Sequence, residues 1–499
     1  MKLSPFISLG EWTPDLSAYG IQGLTVCSGV IPDSGNYKPY PNIVEYSAAL
    51  TARAQGAYSY LHSDNTTKIF SGDATKLYLQ AGIAQTDVSR TTGGAYNCDN
   101  EGVWRFKNYG DRIIATDYND TIQSYVVGTD TDFSELSADA PKAKVIDIVN
   151  NFVMVGNTDD PISGKRPERV WWSAIDNPTS WPTAGTVAAR EVQSDYQDLV
   201  GNGGAVRAIV GAQNYAVIVM DKAIWRGEYV GLPSVFNFNQ AEDNRGTKVG
   251  TSVISDGRNV YYIDEDGFYV FDGVASTPIG NNKVDDYFKA QLAANYSYRI
   301  TAAYDPLNQI VMWSYPSVNS GGTPDKIICY HVYNKVWSEL SIEIDYLFGS
   351  YTTGYTLEDL DAFGTLETIT TSFDSIQWMG GKTQLAGFTT DFKLGYFSGD
   401  NLEAILTTGE LQLNEGGRAF VSSVLPISDA AGVAVDLGTR TLLSGSISYS
   451  GESTINSQTG ECSFRSESPY HTIKFRIPAG ESWNYIKGYK LKVNATGNK

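Results

Sequence analysis

Cysteine and histidine are scarce in this chain. Four Cys (Cys27, Cys98, Cys329, Cys462) are scattered through 499 residues with no short spacing between any two. That pattern fits neither a zinc motif nor the dense disulfide framework of a small secreted domain, and a reducing compartment is expected. Three His (His62, His331, His471) stand isolated, each in or beside a strand-like run. A catalytic triad or metal cluster would have to be assembled from distant segments, so no catalytic His is assigned. Phosphate-binding Gly-x-x-x-x-Gly-Lys-Ser/Thr loops, His-Glu-x-x-His helices and Gly-x-Ser-x-Gly elbows are all missing, which removes the common enzyme signals. No enzyme activity, cofactor or metal is expected.

Long apolar runs are also lacking. The longest, such as 216–220, are strand-length, against the roughly 20 residues needed to span a bilayer, so no membrane anchor is expected. Residues 1–10 carry one Lys and no apolar core of a secretory signal, which predicts synthesis in the cytoplasm without export by that route. Positive charge is in deficit: 37 Lys and Arg oppose 56 Asp and Glu, for a formal charge of -19. A phosphate backbone is repelled by most of such a surface, which argues against sequence-specific DNA binding.

What the chain has instead is apolar and aromatic residues in short runs. Hydrophobic residues make up 42% and aromatics 12%, led by 32 Tyr, and 49 Gly supply turns; this is enough to bury a core and favours β-structure. The clearest unit lies at 249–279. There Val253-Ile254, Val260 to Ile263 and Phe268 to Phe271 are separated by Ser255-Asp256-Gly257 and Glu265-Asp266-Gly267 and end at Asp272-Gly273, which is three strands on two tight turns. A similar unit precedes it at 205–227, with a turn at Gln213-Asn214. Further copies are read at 58–80, 103–127, 145–172, 300–340 and 348–397.

One such sheet cannot bury both faces alone and must stack on its neighbours, so the repeat predicts an all-β fold, a β-propeller of about seven blades. Neither a Trp-Asp dipeptide nor a Ser-x-Asp-x-Gly-x-Thr-Trp box fixes the blade register. One helix is expected at 282–295, where Val284, Tyr287, Phe288 and Leu292 share a face. Pro5, Pro14, Pro32, Pro39 and Pro41 interrupt every candidate strand near the start, so residues 1–50 are expected as an irregular, extended N-terminal arm. The propeller is assigned to 51–398. Past it the cadence fades into Ser/Thr/Gly-rich sequence with strands such as 442–449, 471–477 and 489–493, read as an additional C-terminal β-domain at 399–499.

Acidic clusters at Asp117-Tyr118-Asn119-Asp120, Thr129-Asp130-Thr131-Asp132, Asp159-Asp160 and Asp264-Glu265-Asp266-Gly267 offer hard oxygen ligands to Ca2+. None matches a full EF-hand loop, and each falls at an expected turn, where Asp and Asn bond their own backbone. Carboxylate pairs able to hydrolyse a glycosidic bond cannot be singled out from 56 acids. Trp171-Trp172, with Trp181 nearby, could stack on a sugar or anchor a protein contact. Alternation along 170–174 sends the two to opposite sheet faces, so only one is expected in a given buried layer. Trp12, Tyr37 and Tyr40 on the arm, together with Trp172, are the expected subunit or partner contacts, because a Pro-rich segment gains order by lying on another surface.

Three stretches in order, Gly35-Asn36-Tyr37-Lys38-Pro39-Tyr40-Pro41, Trp171-Trp172-Ser173-Ala174-Ile175-Asp176-Asn177-Pro178-Thr179-Ser180-Trp181 and the unit from Asp256 to Gly273, resemble the tail nozzle family of short-tailed bacteriophages, also called tail hub or packaged-DNA stabilisation proteins. A stretch near the end, with Phe475-Arg476-Ile477-Pro478-Ala479-Gly480 and Trp483, is similar as well. The resemblance spans nearly the whole chain. It implies a structural component of the virion tail: a homohexameric ring below the portal and adaptor that continues the DNA channel, helps retain packaged DNA and lets it pass on ejection. The implied partners are the portal-adaptor (head-to-tail connector) protein, a tail fibre or tailspike, and double-stranded DNA passing without being read. The family supplies no catalytic residue to carry over. The alternative reading is a glycan-processing or glycan- or receptor-binding propeller protein of the virion.

Overall fold

In the computed structural model of the chain, which describes residues 4–212, 214–352 and 379–498, the repeated runs fold as small antiparallel sheets. Gln213, half of one expected turn, and 353–378, within the last expected unit, lie outside the described residues. Seven groups of four antiparallel strands follow one another. The first comprises Gly56–Leu61, Thr67–Gly72, Leu77–Ala81 and Ala84–Asp87, and the second Arg105–Tyr109, Arg112–Thr116, Gln123–Val126 and Ser134–Glu135. Lys142–Val149, Phe152–Asp160, Gly164–Trp172 and Asp195–Asp198 form the third, and Val206–Gly211, Tyr215–Met220, Ala223–Gly231 and Val235–Asp243 the fourth. The fifth holds Ile254–Ser255, Val260–Ile263, Phe268–Phe271 and Ser276–Pro278; the sixth holds Thr301–Asp305, Ile310–Pro316, Pro324–His331 and Val336–Ser341. Tyr346–Tyr351, Thr383–Phe388 and Lys393–Asn401 make three strands of the seventh, and its fourth comes from the start of the chain.

The turns carry the chemistry expected of them. Asp256 Oδ1 accepts from the backbone N–H of Arg258 and Asn259 at 2.8 and 2.6 Å, and Asp272 Oδ1 accepts from Val274 and Ala275, both at 2.9 Å. Each carboxylate holds its own turn closed. Among the described residues no three His, Cys, Asp or Glu converge on a metal-sized point.

The arrangement of these sheets is compatible with a propeller: each apolar face is covered by the next sheet in sequence. Phe70, Trp104 and Phe106 fill the layer between the first and second sheets, Ile114, Ile146 and Trp171 the next, and Met154, Trp172 and Ile218 the one after. Tyr262 and Val219 join the fourth and fifth, Phe268 and Trp313 the fifth and sixth, and Met312 and Leu347 the sixth and seventh. A further layer of Phe348, Phe388, Ile69 and Tyr78 joins the seventh sheet to the first. Trp171 and Trp172 do point to opposite faces, but both are buried, at 5% and 2% exposure. Each therefore fills a different buried layer, because a sheet stacked on both sides has no free face.

Residues 1–50 are not an irregular arm. They supply β1 (Ile7–Ser8), β2 (Leu24–Ser28), β3 (Val30–Asp33), β4 (Asn36–Pro39) and β5 (Pro41–Ala49); β1, β2, β4 and β5 pair with strands from far along the chain, and β3 pairs with β4. Their prolines sit where strands tolerate them. Pro32 lies on the edge strand β3, Pro39 ends β4 and Pro41 begins β5, so no ladder in a sheet interior is broken.

The closing portion of the chain is built on these strands. β3, β4, Ile486–Asn498, Gly417–Ser428 and Cys462–Ser468 form one sheet, to which β1 adds beside Ile486–Asn498. β2 lies between Val336–Ser341 of the sixth sheet and Ala404–Thr408, and the ladder continues through Tyr470–Ile477 and Ala434–Arg440. The two sets of sheets are therefore continuous through β2. The helix expected at 282–295 is shorter than the pattern suggested. A first helix, α1 (Val187–Glu191), was not foreseen; α2 spans Asp285–Gln291, with Val284 and Phe288 buried, and a 3-10 segment follows at Ala294–Arg299. Asp15 accepts from the N–H groups of Tyr287 and Asp286 at 2.7 and 3.0 Å, so the N-terminal segment caps α2.

Candidate functional site

The four residues expected to meet partners are inside the chain. Trp12, Tyr37, Tyr40 and Trp172 are 2%, 3%, 4% and 2% exposed. Trp12 donates from Nε1 to the Thr25 carbonyl at 3.2 Å and packs edge-on against Tyr287, while the Tyr37 hydroxyl donates to the Gly10 carbonyl at 3.0 Å. Tyr40 rests against Phe397, and Trp172 Nε1 donates to the Gln193 carbonyl at 2.9 Å. Buried and bonded in this way, they offer no surface. Aromatic residues next to prolines mark packing here, because those prolines border paired strands.

The three histidines remain apart, in the first sheet's turn (His62), the sixth sheet (His331) and the C-terminal strands (His471). The four cysteines are free and buried.

The structure instead brings charged residues together where the first strands of the sheets meet. The first strands of the first, second, third and fourth sheets lie side by side, as do those of the sixth, the seventh and again the first. Three adjoining cavities follow this line. The largest, about 610 Å3, is lined by Asp99, Glu101, Arg105, Asp117, Tyr118, Lys144, Arg207, Lys248 and Tyr298, among others. It shares Arg105, Val145, Gly250 and Thr251 with a second of about 320 Å3, bordered by Tyr58, Lys107, Asp147 and Tyr346. The third, about 400 Å3, shares Lys107 and Asp147 with the second.

Strand alternation builds the lining. Phe106 enters the apolar layer between the first two sheets while its neighbours Arg105 and Lys107 border the cavities. Ala143-Lys144-Val145 and Val206-Arg207-Ala208 repeat the arrangement, with buried apolar residues on either side of a cation. Most of these cations are matched. Lys107 reaches Asp147 at 3.0 Å, Arg207 reaches Asp221 at 2.5 Å and Lys248 reaches Glu265 at 2.5 Å. Nearby, Arg299 pairs with Asp345, and Arg53 donates to the Asn100 carbonyl at 2.8 Å.

The side chains of Arg105 and Lys144 have no hydrogen bond or ion pair among the described residues. Burial pulls the Arg105 guanidinium below its ordinary range, against the opposing pull of the Tyr346 phenol. Lys144 is drawn down by burial and by Arg207 and Arg105, and up by Asp99 and Glu101. On the same wall Asp117 is 4% exposed; its Oδ1 accepts from the Asp120 N–H at 3.0 Å, but its Oδ2 has no partner. Burial pushes this carboxyl up to about 6. Tyr118 beside it holds a left-handed φ of 80°, uncommon for a residue with a Cβ.

Sequence reasoning passed over this cavity. Its signal was a cation between two core residues at the start of successive units, Trp104-Arg105-Phe106, Ala143-Lys144-Val145 and Val206-Arg207-Ala208, in a chain otherwise rich in acid.

No protein-family model matches the chain, and no curated protein matches it. Among solved structures, a computationally designed protein, Ika8, is 11% identical over 72% of this chain and 99% of its own length, with a TM-score of 0.38. The extracellular domain described as part of a hybrid two-component system of B. thetaiotaomicron is also 11% identical, with a TM-score of 0.42, over 72% of this chain and 40% of that one. Both likenesses are too slight to carry an argument about function. Among the described residues, no helix is long and apolar enough to cross a membrane.

Proposed function

We propose that this chain is a structural component of a short-tailed phage tail, the subunit of the distal nozzle ring, and not an enzyme. In this reading the seven four-stranded sheets are the blades of a closed propeller, with β5 as the outer strand of the last blade. The apolar layer between the seventh and first sheets supports closure. The observation that carries the structural reading is the interlacing of the start of the chain with both sets of sheets. β5 completes the seventh sheet, β2 joins the sixth to the C-terminal strands, and β1, β3 and β4 build the remaining sheet. Such a body transmits load without a flexible linker between its parts, as a tail element under pressure from packaged DNA requires.

The ordered resemblance of the sequence to nozzle proteins supports the same reading. The cavities among the first strands are the size of small-molecule sites, so the DNA path in this proposal lies between copies of the chain in a hexameric ring. The -19 charge of each copy then discourages the duplex from sticking to the wall. The portal-adaptor complex above and a tail fibre or tailspike at the side are the proposed partners, and the virion tail is the proposed location.

The test is the mass of the purified protein, alone and mixed with the portal-adaptor complex, by native mass spectrometry. A discrete ring, or a monomer converted to one by the adaptor, is the expected result. A monomer that stays a monomer in both samples overturns the proposal.

A further inference from the structure

Independently of any role in a tail, the largest cavity has the chemistry of a binding site. Its volume of about 610 Å3 lies within the range of small-molecule pockets. Two cations on it, Arg105 and Lys144, lack a partner among the described residues, although neighbouring basic side chains have found one. Arg105 is half-buried and Lys144 exposed, so solvent screens part of their mutual repulsion, and an anion joining them relieves the rest. The same lining also asks for something different. Asp117 Oδ2 is a buried acceptor with no donor, which a hydroxyl satisfies. Tyr118 and Tyr298 place aromatic side chains on the same lining, and aromatic faces suit the C–H surface of a sugar ring or a planar group.

We propose that this cavity binds an anionic sugar, with the acidic group, carboxylate or phosphate, against Arg105 and Lys144 and a ring hydroxyl donating to Asp117 Oδ2. A simple inorganic anion satisfies the cations but brings no ring to the two tyrosines and adds like charge beside Asp117. A neutral sugar does the reverse. Only a ligand with both groups answers both demands.

The experiment is isothermal titration of the full chain at low salt with glucuronate, glucose 6-phosphate, glucose and inorganic phosphate. Glucuronate, glucose 6-phosphate or both should bind roughly tenfold or more tightly than glucose and inorganic phosphate, and which one does so identifies the acidic group. Lys144→Gln and Arg105→Gln should each weaken that binding by roughly tenfold, in line with loss of one charge-assisted hydrogen bond. Asp117→Asn should weaken the sugar while leaving inorganic phosphate no weaker. Lys144 is exposed to the cavity, so its variant should keep the wild-type melting temperature and report on binding alone. Glucose bound as tightly as the acidic sugars, inorganic phosphate bound as tightly as either, no binding at millimolar concentration, or a Lys144→Gln variant that binds like wild type would each overturn the proposal.

Discussion

His471 shows how one buried side chain ties folding to pH. It is 1% exposed, neither ring nitrogen has a hydrogen-bond partner, and burial pulls its pKa from 6.5 to about 4. The folded chain keeps the ring neutral where the unfolded chain would already bind a proton. Stability that is complete above pH 6.5 is therefore lost as the pH falls toward 4, and the loss levels off below that at about 3 kcal/mol. Asp117 and Asp285 act in the opposite sense. Burial raises both carboxyls to about 6, so their contribution is present below the unfolded value near 3.8 and is lost as the pH rises through 6. Urea denaturation of wild type and His471→Leu at pH 7 and pH 4 separates the two effects. The variant should lose about 3 kcal/mol less than wild type between those values, and equal losses would show that His471 does not titrate as described.

At the scale of elements, the repeated units were legible because each carries its own turns. Asp256-Gly257 and Asp272-Gly273 close hairpins with their own carboxylates, and the apolar runs between them alternate or fill as half-buried strands do. What the sequence does not display is pairing at a distance. The runs at 24–28 and 41–49 are ordinary strands, yet their partners lie more than 300 residues away, and no local pattern announces a partner so remote. Prolines at 32, 39 and 41 read as breakers because their edge and terminal positions depend on that hidden topology. The cavity was missed for a related reason: Arg105 and Lys144 belong to different units, and only stacking brings them to one wall.

The pairing makes a prediction opposite to that of an exposed arm. Glu45 of β5 accepts from Thr389 at 2.7 Å and from Lys393 at 2.9 Å, and the backbone from 24 to 49 is held in ladders. Limited proteolysis of the purified protein, read by mass spectrometry, should leave residues 24–49 uncut, and deletion of residues 1–50 should yield insoluble chain. Rapid cleavage within β5 would contradict the pairing.

For the whole molecule, continuity through β2 predicts cooperative unfolding. Gly29 donates to the Glu339 carbonyl at 2.9 Å, and the Glu339 carboxylate accepts from Tyr315, Tyr287 and Lys326 at 2.7, 3.0 and 2.9 Å. The junction is thus bonded through the backbone, to a residue whose side chain is itself fixed by the sixth sheet and α2. Scanning calorimetry should give one transition for the full chain, and a fragment of 399–499, deprived of β1 to β4, should show none. Two well-separated transitions in the full chain would mean that the two sets of sheets melt on their own.

The strand that completes the seventh sheet also sets a timetable. β5 leaves the ribosome among the first residues, but its partner Lys393–Asn401 is made only when most of the chain has been translated. At roughly 5–20 residues per second, the first strand waits on the order of half a minute with its backbone groups unmatched. During that interval the nascent chain is an open strip of sheets with two unsatisfied ends, and a neighbouring nascent chain offers the same complementary ends. Completion of the fold is in this sense a race between an end finding its own tail and finding another's, and crowded polysomes, where chains emerge side by side, are where an exchange of β5 between copies would arise.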